Sequence, residues 1–395
     1  MTPSLLRPAL VLGLLSCVGP FAIDMYLPAM PDIGAGLGTS VAAMQGTITA
    51  YFIAFGVAQL FYGPWADQAG RKPPLYAGLG VFLLGTLICA LAPSITWLMV
   101  GRFVQGLGGA AVMVVPRAII RDMATGHQAT RLMAAIMLVI SVSPMLAPLA
   151  GSGVLAVASW RWIFGVLAIA ALLSLLMIRF VLVETLPQAQ RQRFVWGDTM
   201  RGAKRLLSDR GFMALTFLGG FAMASFFVFI ASGPFVYTQA FGLSPTGFSL
   251  AFAVNAIGFF GASQLAAGLG LRFGATRVVR VAVLGFFTST VSLALIGAFG
   301  FADLPVVMTG LFIANAFLGL VIPTVMVLAL EEHGDIAGLA SSLGGTLQML
   351  AGGAMIAVTA PFFDGTALPM LLAIAVCGAI ALALSRRVIP QAAVA

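Results

Sequence analysis

The chain alternates between long apolar runs and short breaks that are charged or rich in glycine and proline. A helix that crosses about 30 Å of hydrocarbon needs about 20 apolar residues. Cutting at the breaks leaves twelve runs of roughly that length: Pro8 to Met30, Val41 to Ala66, Leu75 to Leu91, Ile95 to Ile120, Ala129 to Ala156, Trp162 to Val181, Phe212 to Thr238, Gly247 to Leu269, Val278 to Ala298, Pro305 to Leu330, Ala337 to Pro361 and Ala367 to Leu384. The pattern predicts an all-α integral membrane protein of twelve transmembrane helices. Its longest hydrophilic segment, Glu184 to Arg210, follows the sixth run. The expected organisation is therefore a six-helix bundle at 1–183, a basic linker at 184–210 and a second six-helix bundle at 211–395. Faint echoes across the linker, Gly70 with Gly274 and Gly101-Arg102-Phe103 with Gly310-Leu311-Phe312, favour two related halves. Paired repeats of this kind are a transporter architecture, with the site near the midplane.

Composition agrees. Of 395 residues, 61% are hydrophobic and 8% are charged, whereas soluble domains are about a quarter charged. The net charge of +8 and pI near 10.1 do not imply a nucleic acid, because the basic residues occupy short loops rather than one face. Placing both termini in the cytoplasm puts all but three of the 20 basic residues on the inner side, as the positive-inside rule requires. The exceptions are Arg161 outside and Arg102 and Arg117 within a span. Arg7 before the first apolar run resembles a signal peptide, but the run is long and has no convincing cleavage site, so it reads as a retained span. Cys17, Cys89 and Cys377 lie in apolar runs without metal-ligand spacing and imply no disulfide.

Four stretches carry chemistry. The loop after the second run reads GPWADQAGRKP, placing Gly63, Asp67, Gly70, Arg71 and Lys72 at the spacing GxxxDxxGR[KR]. Its glycines permit a tight helix-loop-helix connection. This resembles motif A of the major facilitator superfamily, a likeness that the twelve spans and central linker extend over nearly the whole chain. The resemblance implies the major facilitator fold and a gating latch. In that latch Asp67 faces the N-terminal end of span eleven, near Ala337, and Arg71 pairs with Asp122 at the end of span four. Span five carries SVSPMLAPLAGSG, which resembles the antiporter motif C, with Pro148 and Gly151 retained and two of its glycines replaced by small residues. Span four carries WLMVGRFVQGLGGAA, similar to the family's motif B. Together with Asp24-Met25-Tyr26-Leu27-Pro28 and SFFVFIASGPFVY in span seven, these resemble the Bcr/CflA group of bacterial drug:proton antiporters, whose members export bicyclomycin or phenicols.

Charges inside spans are costly and normally face the bundle interior with a partner. Asp24 lies about 16 residues, roughly 24 Å, from the inner end of its run, and Arg102 about 7 residues, roughly 10 Å, from the outer end of its own. Their similar depth nominates them as the proton-coupling pair. Burial favours a neutral acid and a nearby guanidinium favours the carboxylate, so Asp24 can switch protonation. In the competing reading, Asp24 merely helps to end the span near the outer headgroups. Around it, Gly19-Pro20 is expected to supply a bend just inside Asp24, Pro28 and Pro31 to end the span, and Asp32 to be ordinary surface. Candidate substrate-lining residues are Tyr26, Tyr51, Gln59, Phe226, Phe229, Tyr237, Asn255 and Asn315, an apolar set with a few polar groups that suits amphiphilic drugs.

No GxxxxGK[ST] occurs, which argues against ATP-driven transport, and His127 and His333 have no zinc or triad spacing and read as solvated. The expectation is a monomeric, multi-pass inner-membrane transporter, not an enzyme, with no metal or organic cofactor. Its partners are a small-molecule drug, the lipid bilayer and the coupling proton. A proton-coupled symporter importing a nutrient stands as the alternative.

Overall fold

A computed structural model describes residues 3–123, 126–191 and 196–388. Arg193 of the expected linker and the side chains of Arg7, His127 and Arg131 lie outside that description. Among the described residues twelve helices are long and apolar enough to cross a membrane: Val11–Gly36, Val41–Ala69, Lys72–Ala90, Ile95–Met123, Ile136–Val157, Arg161–Phe180, Arg210–Ala240, Pro245–Phe273, Ala275–Ala298, Leu304–Glu331, Gly334–Phe362 and Leu368–Val388. A helix satisfies its own backbone hydrogen bonds, which is why an apolar chain adopts it where no water is available. Several spans start at side-chain caps: Ser40 accepts from Ala43 N–H, Asp209 from Phe212, Ser244 from Gly247 and Asp303 from Val306.

The chain forms two compact units, Met1–Trp196 and Gly197–Ala395. Within the first, span four packs on spans one, two and three, span five on span one, and span six on spans one and three. The second unit repeats every one of these pairings with each number raised by six. Lipid tails give helices no hydrophobic reason to associate, so close approach through small residues holds them together. In the first unit a Cβ on Gly106 would meet the Tyr51 carbonyl at 2.4 Å, and in the second a Cβ on Gly319 would meet the Phe259 carbonyl at 2.1 Å. Both contacts join the fourth span of a unit to its second.

The first span departs from expectation. It passes Met30 and continues to Gly36, so Pro28 and Pro31 interrupt it without ending it. Its α-helix stops at Asp24, gives way to a 3₁₀ turn at Leu27–Ala29 and resumes as Met30–Gly36. Proline removes a donor and its ring clashes with the carbonyl four residues earlier; for Pro28 that carbonyl belongs to Asp24. The break thus falls at Asp24, while Gly19-Pro20 lies inside continuous helix. Asp32 is exposed beyond the break.

The segment expected to be one linker is divided. Glu184 folds against the first unit, whereas an amphipathic helix, Trp196–Ser208, lies in the second from Gly197 onward. That helix is tied down by an Arg205–Asp335 ion pair and by Gly202 packing on Leu339. His333, read from sequence as solvated, is buried: it stands edge-on to Phe212, and its Nε2 lies 3.4 Å from Asp209 Oδ2.

Candidate functional site

The break in span one exposes the end of a helix at the depth of a carboxylate. Asp24 is only 5% exposed, and among the described residues no hydrogen bond or ion pair reaches its side chain. Span five packs on this break through Gly151, where a Cβ would stand 2.2 Å from the Met25 carbonyl and 3.1 Å from Pro28 Cγ. The glycine of the motif C variant is therefore a packing requirement of the same turn that carries Asp24. Pro148 lies within the same helix, a few residues earlier.

Arg102 enters from span four and is fully buried. Its Nη1 donates to the Ala22 carbonyl at 2.8 Å and to Gln105 Oε1, rather than to Asp24. Gln105 in turn donates from Nε2 to Thr86 Oγ1 at 2.8 Å, and Thr86 donates to the Phe82 carbonyl at 2.7 Å. The guanidinium is thus aimed at span one from a chain of buried groups on spans three and four. The sequence reading paired Asp24 with Arg102; the two occupy one neighbourhood, but the direct contacts of Arg102 are the carbonyl two residues before Asp24 and the side chain of Gln105. Tyr26 and Tyr51, expected to line the substrate cavity, are fully buried, and both rings lie against Arg102. Gln59 is half-buried, with its Nε2 enclosed and without a hydrogen-bond partner.

At one end of the first unit, the loop between spans two and three forms a charged clasp. Arg71 donates from Nε to Asp122 Oδ2 at 2.7 Å and from Nη2 to Asp122 Oδ1 at 3.0 Å, a two-pronged pair, and from Nη1 to Asp67. Thr185 Oγ1 donates to Asp122 at 2.9 Å. Glu184 accepts from the backbone N–H groups of Arg71, Lys72 and Leu186 at 2.8, 3.1 and 3.0 Å. It sits at the N-terminus of span three, where unpaired amides and the helix dipole favour an anion. Burial pushes the Glu184 carboxyl up, but those backbone donations and the charge of Arg191 outweigh it and hold it below its ordinary value. Gly70 turns the loop with φ +95°, and a Cβ there would lie 2.8 Å from Glu184 Oε2. Gly63 lies one turn before Asp67 in span two, with Val114 as its nearest neighbour.

The second unit has a different interior. Asn315 donates from Nδ2 to Asn255 Oδ1 at 3.2 Å, and Asn255 donates to the Ala251 carbonyl at 3.1 Å. Around this amide pair, Phe229 stacks on Phe252 with centroids 5.5 Å apart, and Phe226 stacks on Phe259 at 5.5 Å. Tyr237 packs edge-on to Phe229. It sits on a π-helical turn, Val236–Ala240, that follows Pro234 in span seven. Its hydroxyl is buried beside Asn255 without a well-formed hydrogen bond.

The profile of the Major Facilitator Superfamily matches residues 12–357. The chain belongs to that superfamily. It is 34% identical over 364 residues to the uncharacterized MFS-type transporter YdgK of Bacillus subtilis, covering 92% of this chain and 90% of that protein. It is 30% identical over 371 residues to the bicyclomycin resistance protein homolog of Haemophilus influenzae, covering 93% and 92%. Among solved structures, the D-xylose-proton symporter matches with TM-score 0.76 over 98% of both chains, at 15% identity, a likeness of fold. The protein is a multi-pass inner-membrane transporter of the Major Facilitator Superfamily that acts on small molecules and is not an enzyme.

Sequence reasoning missed Gln105, Thr86 and Glu184. Gln105 stands three residues after Arg102 on one helix face, a spacing that lets side chains meet and could have nominated it. Glu184 is the first acidic residue after span six, beside a basic loop. Thr86 carried no signal, since a threonine in an apolar span usually returns its hydroxyl to its own helix.

Proposed function

We propose that this transporter is a drug:proton antiporter that exports small amphiphilic antibiotics, phenicols and bicyclomycin among them, by alternating access, with both termini in the cytoplasm. The observation that carries the reading is Asp24: a carboxylate within a membrane span, enclosed at a helix break, in the neighbourhood of a guanidinium whose Nη1 bonds go to the Ala22 carbonyl and Gln105 instead. An intramembrane ionisable residue is costly to keep and marks a proton or substrate path. Asp24 takes up a proton when open to the outside and loses it to the inside, and substrate binding accompanies the deprotonated state. The similarity to the bicyclomycin resistance protein homolog supports the export direction. So does 29% identity over 60% of both chains to the multidrug resistance protein MdtL of Shigella dysenteriae.

On this reading Asn255, Asn315 and Tyr237 supply the polar contacts to the drug, and Phe226 and Phe229 the apolar ones. The motif A clasp latches one end of the first unit. The test is a panel of antibiotic tolerances in a pump-deficient bacterium, together with substrate-evoked proton release from proteoliposomes. A flat panel without proton movement would sink the assignment, and proton uptake in the same direction as solute entry would replace it with symport.

A further inference from the structure

Arg102 is fully buried, yet it has too few hydrogen-bond acceptors. Both protons of Nη1 are used, on Ala22 and Gln105, while Nε and Nη2 are enclosed without a partner. A buried cation left in that condition is strongly penalised unless something else compensates its charge. Two aromatic faces do so. Cζ lies 4.8 Å from the ring centroid of Tyr26 and 4.5 Å from that of Tyr51, well within the range where the negative face of a ring attracts a cation.

Both rings are fixed from behind. The Thr47 hydroxyl spends its proton on the Met44 carbonyl at 2.6 Å, so the Tyr26 hydroxyl, 2.9 Å away, donates to it. The Tyr26 ring also packs on Phe164. Tyr51 donates to the Gly19 carbonyl at 3.4 Å and stacks on Phe55. With their faces against the guanidinium, both tyrosines have already spent their hydroxyl protons on the protein.

We propose that Tyr26 and Tyr51 are positioning residues for proton coupling: their ring faces take the place of a carboxylate as the counter-charge of Arg102, and so leave Asp24 without a fixed ionic partner. The inference rests on the reading of Asp24 as the proton carrier. A direct Arg102–Asp24 pair would favour the carboxylate and hinder protonation. A guanidinium held by π faces supplies positive potential without that lock. The rings therefore govern how readily Asp24 exchanges its proton, while the drug is held by other groups.

The test keeps the shape of the rings and removes their charge distribution. Phenylalanine and its mono-, di- and trifluoro derivatives are placed at position 51, and separately at 26, alongside Tyr51→Leu and Tyr26→Leu. Substrate-evoked proton release is recorded against pH in proteoliposomes, and drug affinity is measured at a fixed alkaline pH. Tyr51→Phe keeps the wild-type midpoint. Successive fluorination moves the midpoint toward acid as Arg102 turns to Asp24, by on the order of one pH unit at the trifluoro ring, the size of one new charge contact. Alkaline drug affinity stays within twofold. A midpoint that does not move along the series overturns the proposal, and if affinity falls instead, the rings are drug contacts. The fluorinated rings preserve packing, so the series reads even where the leucine variants fail to accumulate. Asp24→Asn is run in parallel. Proton release that persists there overturns the antiport reading itself, whereas silence there with a flat series overturns only the role of the rings.

Discussion

The two units share one set of helix pairings and bury opposite kinds of polar group. Within its spans the first unit buries Asp24 and Arg102; among the described residues of the second, the spans bury no acidic or basic side chain, and their polar interior is Asn255, Asn315 and scattered serines and threonines. In a low-dielectric interior a charge interacts strongly with its surroundings and responds to a proton, whereas an amide pair satisfies itself and offers directional hydrogen bonds at little electrostatic cost. A common fold has thus been given two chemistries. On the antiport reading, the first unit suits ion handling and the second suits neutral recognition.

The largest effect should come from removing the titratable group. Asp24→Asn is expected to reduce substrate-evoked proton release to the level of empty vesicles while drug binding survives, and binding lost together with release would instead assign Asp24 to the drug site. Charging the other unit attacks the contrast from the opposite side. Leu311, 2% exposed, stands at the sequence position opposite Arg102. Leu311→Arg should cost about 3 kcal/mol or more, because it places a charge at a buried apolar position within a span; thermal unfolding in detergent would show it, and an unshifted melting curve would mean the second unit also accommodates charge. Asn315→Ala removes the donor from Asn255 and a contact proposed for the drug. Roughly fivefold weaker drug binding is expected, about 1 kcal/mol, with no change in the pH midpoint.

The smallest effect concerns the clasp. Glu184→Gln keeps the shape but loses the anion at the start of span three, at a cost of about 1 kcal/mol. Because the folded state holds the Glu184 carboxyl below its ordinary value, its contribution is complete above that ordinary value and is lost as pH falls through the lowered one. The melting difference between wild type and Glu184→Gln should therefore be constant near neutrality and vanish in acid; a difference that grows on acidification would contradict the sign. The second unit offers a control. Gly274 has φ +83°, much like Gly70, but a Cβ there would meet nothing within 4 Å. Gly274→Ala should therefore cost only backbone strain, whereas Gly70→Ala also pushes Glu184 out of place.

Much of this was legible in the sequence. Twelve apolar runs and a central hydrophilic segment give the architecture, because an apolar run of about 20 residues is the length at which a helix crosses the hydrocarbon. The depth of Asp24 and Arg102 announced a shared neighbourhood. What sequence could not supply was the partner of each group, since that depends on helix rotation and on which neighbour has a free acceptor. Tyr26 carried no more specific sequence signal because an aromatic residue in a span has no signature of its own; its contacts with Thr47 and the guanidinium depend on helix rotation. The prolines of span one illustrate the remaining error. They were legible as interruptions, but whether a proline stops a span or merely breaks it depends on whether the helix beyond is packed, as Met30–Gly36 is.

Spans three and four meet almost backbone to backbone: a Cβ on Gly85 would stand 2.3 Å from Gln105 N, and one on Gly108 would stand 2.3 Å from Phe82 N. That seam carries Thr86 and Gln105, and through them Arg102. Its consequence is for evolvability. A side chain at Gly85 or Gly108 would collide with the facing backbone, so, on the antiport reading, lineages meeting new antibiotics have little room to adapt there. On the same reading, variation that alters the resistance spectrum should accumulate around Asn315 and the stacked phenylalanines, leaving the half that carries Asp24 inherited almost unaltered.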